Sequence, residues 1–87
     1  MPVYVPQEVK PHPLGMGGTQ ELYRFANGYG ASVVRFPGSY GWPDLWELAV
    51  LRDGHLCYDT PITDDVLGRL TREEVTAALT QIEELPA

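Results

Sequence analysis

Eighty-seven residues, 44% of them hydrophobic and 21% charged, make one domain with a single modest core. Twelve acids against six Lys and Arg leave a net charge of −6, which phosphate backbones repel, so direct nucleic-acid binding is disfavoured. No apolar run nears the roughly 20 residues that span a bilayer. The N-terminus also lacks the basic start and apolar core of a signal peptide, and a cytoplasmic protein is expected.

The first 20 residues hold Pro2, Pro6, Pro11 and Pro13, then Gly15, Gly17 and Gly18. Missing amide donors and high chain entropy predict a tail or long loop, with Val3-Tyr4-Val5 able to add a short edge strand. The tail is read as residues 1–20 and the folded domain as 21–87.

Two hairpins come next. Glu21–Ala26 and Tyr29–Phe36 flank Asn27-Gly28, and this dipeptide between aromatic and β-branched runs signals a two-residue type I′ turn. That turn would set Tyr23 opposite Ser32 and Phe25 opposite Gly30. Leu45–Leu51 and Leu56–Thr60 form the second hairpin around Asp53-Gly54. There Trp46, Leu48, Val50 and Cys57 share one face, and Leu45, Ala49, Leu51, Leu56 and Tyr58 share the other. Two partly apolar faces suit a central hairpin or one that meets a partner, and a homodimer is compatible with this. Between the hairpins, the loop Pro37–Asp44 carries Tyr40 and Trp42, either folded over the sheet edge or displayed as anchors.

Thr63 to Leu67 reads as a separate helical turn ended by Gly68. Thr71-Arg72-Glu73-Glu74 is a capping box. Val75, Ala78, Leu79, Ile82 and Leu85 follow at helical spacing, and Pro86 stops the helix. The expected fold is α+β: an antiparallel sheet of about four strands packed by a C-terminal helix.

Charge divides the chain. Up to Pro43, Lys10, Arg24 and Arg35 outweigh Glu8 and Glu21, whereas from Asp44 onward ten acids face three arginines. A basic protein surface is the natural electrostatic partner, with solubility alone as the other reading. Asp59, Asp64 and Asp65 cluster where the second hairpin hands over to the next turn. Asp64 and Asp65 are accounted for as first-turn acids behind Thr63, while Asp59 is not. The spacing does not make a calcium loop, so no metal or other cofactor is expected. Cys57 alone can make no internal disulfide and reads as a small core residue. His12, His55, Ser32 and Ser39 fall into no catalytic pattern, so no enzymatic activity and no catalytic residue are expected. Gly15-Met16-Gly17-Gly18 lacks the lysine and the preceding strand of a phosphate loop.

Asn27–Val34, Ser39-Tyr40-Gly41, Leu45–Leu51 and Tyr58–Val66 together resemble a family of small bacteriophage and prophage proteins, most of them described only as hypothetical. The resemblance runs from about residue 21 onward and implies a phage origin acting inside a bacterial host, without supplying an activity. On that footing the expected function is a non-enzymatic protein-binding module that inhibits a host protein, such as part of an anti-phage defence. Tyr40, Trp42, Asp44, Asp59, Asp64 and Asp65 are its expected contacts. A second reading is an oligomeric sponge for a nucleotide signal, with Tyr29, Tyr40 or Trp42 stacking on the base and Arg24 or Arg35 meeting phosphate. A virion or assembly component is a third.

Overall fold

The computed structural model describes residues 4–11, 17–35, 37, 44–57 and 67–86. Six strands and one helix follow in order: β1 (Glu8–Pro11), β2 (Thr19–Arg24), β3 (Tyr29–Arg35), β4 (Trp46–Arg52), β5 (His55–Leu56), β6 (Leu67–Leu70) and α1 (Arg72–Glu83). The strands form one antiparallel sheet in the order β1-β2-β3-β4-β5, and β6 pairs with β4 as well. The expected α+β architecture is therefore what the chain adopts, with the helix lying over β3, β4 and β6.

The two hairpins carry similar dipeptides but turn differently. At the second, Asp53 (φ 51°) and Gly54 (φ 84°) both take positive φ, and Arg52 pairs with His55 and Leu51 with Leu56. This is the two-residue type I′ turn that the sequence predicts. At the first, Gly28 alone is left-handed (φ 88°), Gly28 N–H donates to Phe25 O (3.2 Å) and Phe25 N–H donates to Tyr29 O (2.8 Å). The loop is thus three residues long, a type I turn closed by a left-handed glycine. The pairing slips by one residue from the expected register, setting Tyr23 against Ala31, Leu22 against Ser32 and Arg24 against Gly30. Tyr23 consequently joins Ala31 and Val33 on the covered face instead of Ser32 and Val34.

Of the helical turn expected over Thr63 to Leu67, residues 63–66 lie outside the described residues, and Leu67 and Gly68 open β6. Leu67 pairs with Leu48 and Leu70 with Trp46, with a register shift between the pairs and Arg69 at φ 56°. In a regular strand, residues three apart point to opposite faces. The extra residue of the bulge turns both leucines toward the core.

The proline-rich start also enters the sheet. Its strand begins at Glu8 and not at Val3-Tyr4-Val5, and Val3 lies outside the described residues. As an edge strand, β1 tolerates Pro11 because one side of it needs no partner. Tyr4 holds the segment in cis. Its hydroxyl lies 3.0 Å from Thr80 Oγ1 and donates to Glu83 Oε1 (3.0 Å), and its ring meets Phe25 edge-on at 5.7 Å.

The capping box at Thr71 forms as expected: Thr71 Oγ1 accepts from Glu74 N–H (3.2 Å), and Glu74 Oε1 accepts from Thr71 N–H (3.0 Å). Val75, Ala78, Leu79 and Ile82 are buried against Tyr23, Ala31, Val33, Trp46, Leu48, Val50, Cys57 and Leu70. Cys57 faces Val50 in this core, as its strand position predicts, and joins no disulfide. At the helix C-terminus no base offsets the dipole. Instead, Asn27 Nδ2 donates to Ile82 O (2.9 Å), Glu83 O (3.1 Å) and Leu85 O (2.9 Å), while Asn27 Oδ1 accepts from Tyr29 N–H (3.0 Å).

Candidate functional site

Of the six residues expected to meet a partner, Tyr40, Trp42, Asp59, Asp64 and Asp65 lie outside the described residues. Asp44 is an exposed turn residue two positions before β4. Among the described residues no group of three His, Cys, Asp or Glu side chains comes together as a metal site. No described helix is long and apolar enough to cross a membrane. The helix covers one sheet face, so the other is the surface to read.

Strand pairing lays that face out in rows. Lys10, Gln20, Val34 and Glu47 form one; Glu8, Leu22, Ser32 and Ala49 the next; Arg24, Gly30, Leu51 and Leu56 the third. Gln20 Nε2 donates to Ser32 Oγ (2.9 Å) across the first two. Leu22, Val34 and Leu51 are half-buried and Leu56 is 56% exposed. No described helix or strand lies over these rows.

A cavity of about 250 Å³ opens at the third row, lined among others by Glu8, Leu22, Arg24, Gly30, Leu51 and Gly54. Its shape follows from the backbone. A Cβ at Gly30 would fall inside the van der Waals shell of the Tyr23 carbonyl oxygen, so only glycine allows β2 and β3 to approach as they do. Arg24 and Glu8 are both exposed, and neither makes an ion pair or hydrogen bond with any described side chain.

The arginines that the sequence groups together as phosphate contacts are on opposite faces. Arg24 belongs to the open one. Arg35 lies on the covered one, its guanidinium 4.4 Å from the centre of the Trp46 ring, whose other close cation is Arg72 at 4.9 Å. Tyr29 has its ring engaged by Arg52 at 5.3 Å.

Beside Trp46, under the start of the helix, Tyr23 hydroxyl donates to Glu21 Oε1 (2.7 Å) and accepts from Arg72 Nη2 (3.0 Å). Arg72 closes the triangle on Glu21 with an ion pair at 2.9 Å. Burial, reinforced by the Glu21 carboxylate, pushes the Tyr23 phenol up to about 12. An unfolded tyrosine releases its proton near pH 10, so between these values the folded chain binds more protons. This contribution is fully present below about pH 10 and is lost as pH rises toward 12. The urea midpoint is expected to fall across that window, and Tyr23→Phe should flatten the fall. An equally steep decline in the variant would place the cause elsewhere.

Comparison with protein-family models, curated proteins and solved structures returned no match.

Proposed function

We propose that this chain is a non-enzymatic, phage-encoded module that docks on the basic surface of a host protein and inhibits it, a component of anti-phage defence being the natural target. One observation carries the reading: the sheet keeps a face with half-buried Leu22, Val34 and Leu51 and exposed Leu56 that no described element covers. Apolar area framed by polar groups is the composition of a protein interface. The acids favour a cationic partner, since Asp44, Asp53, Glu73, Glu74, Glu83 and Glu84 are all exposed. The phage resemblance supplies the setting.

The test is affinity capture from infected host cells at low and high salt, followed by assay of the captured protein with purified chain. The expected result is a single partner with a basic surface that is inhibited stoichiometrically, held less well at high salt and lost with Leu51→Lys together with Asp44→Lys. Capture that is indifferent both to salt and to these two changes would overturn the proposal, as would a captured protein whose activity is untouched.

A further inference from the structure

We propose that the cavity over Gly30 binds a small zwitterion of the amino-acid class, its carboxylate on Arg24 and its ammonium on Glu8. This goes beyond the protein-binding reading and stands without it.

Size comes first. At about 250 Å³ the space falls below the ~300–1,000 Å³ of sites for drug-sized ligands. It suits a single compact metabolite and is too small for a dinucleotide.

Charge then selects the class. Glu8 pairs in register with Leu22, so Arg24 is its diagonal neighbour on the adjacent strand. Such positions stand about 7–8 Å apart, and the two side chains line one cavity without pairing. A lone anion would be drawn to Arg24 but repelled by Glu8 and by the net charge of −6. A lone cation would meet the reverse at Arg24. A ligand with both charges satisfies each wall, and its zero net charge makes it indifferent to the acidity of the chain. The guanidinium fork matches a carboxylate in bidentate fashion. Between the charged walls, Leu22 and Leu51 line the cavity beside Gly30 and supply apolar surface for a ligand side chain.

The experiment is an amide-resolved NMR titration of the full chain with L-phenylalanine and L-leucine, against benzoate and phenethylamine, which each carry only one of the charges. Expected are saturable shifts at the Gly28, Gly30 and Gly54 amides with at least one amino acid, and binding about tenfold weaker or worse for both single-charge probes. Arg24→Gln and Glu8→Gln should each weaken the amino acid at least about tenfold, while Lys10→Gln, an exposed cation two rows away, should not. Neither cavity substitution removes a described contact, so folding is kept, and thermal unfolding of each variant verifies it. Absence of saturable shifts, benzoate or phenethylamine binding as tightly as the amino acid, or undiminished binding by either cavity variant would overturn the proposal.

Discussion

Gly30→Ala is expected to cost about 3 kcal/mol or more, enough to remove most of the stability of a domain this small. The obstacle is backbone, not a side chain that could swing away. An added Cβ would collide with the Tyr23 carbonyl oxygen and lie 3.1 Å from its carbonyl carbon and 3.2 Å from Arg24 Cα. Relief requires β2 and β3 to separate. Those strands carry Tyr23, Ala31 and Val33, which are at most 3% exposed in the core, so separation opens the sheet beneath the helix. Gly68→Ala is the control: a Cβ there meets nothing within 4 Å, and its change should stay within about 1 kcal/mol. Urea unfolding of both variants checks this. Equal, small losses would mean that the close approach at Gly30 is not needed for the fold.

The helix was legible because its signals are local: Thr71 and Glu74 sit one turn apart, and Val75, Ala78, Leu79 and Ile82 repeat within twelve residues. The Asp53-Gly54 turn was legible for the same reason. Asn27-Gly28 carries a similar local signal, yet its turn is one residue longer. There the side chain of Asn27 is held by carbonyls 55 to 58 positions away, which nothing near it in the chain announces. Leu67 and Gly68 belong to a strand because they pair with β4, some twenty residues back in the chain, and only the bulge of that pairing turns both Leu67 and Leu70 inward. Prolines concealed β1, since their penalty vanishes at an edge.

The cavity was harder still. In the sequence Arg24 stands out only as a possible phosphate contact, Gly30 as the residue opposite Phe25, and Glu8 as a tail residue. Their meeting depends on the one-residue slip of the first hairpin and on β1 joining the sheet, and neither can be read from composition or spacing.

The other large effect is expected at Asn27, where Asn27→Asp should be more harmful than Asn27→Ala. Alanine removes the donors to Ile82, Glu83 and Leu85 and the acceptor for Tyr29 N–H. The part-buried carbonyls are left short of partners, a loss of about 1–2 kcal/mol. Aspartate keeps an acceptor for Tyr29 but points an anion at the same carbonyls. It stands at the negative end of the helix dipole, with Glu83 and Glu84 close by and no base in the last turn to offset them. The combined cost should reach about 3 kcal/mol at neutral pH. The sign with pH follows from the carboxyl itself. Carbonyls and neighbouring acids disfavour its ionised form, so the new group binds its proton more tightly folded than unfolded. The penalty therefore grows as pH rises above the unfolded aspartate value near 4 and shrinks below it, where the protonated carboxyl can donate once more. Unfolding midpoints at neutral and acidic pH, each taken against wild type, should show the aspartate variant below the alanine variant at neutrality and level with it or above in acid. An aspartate variant as stable as wild type at pH 7 would mean that this side chain does not hold the end of the helix.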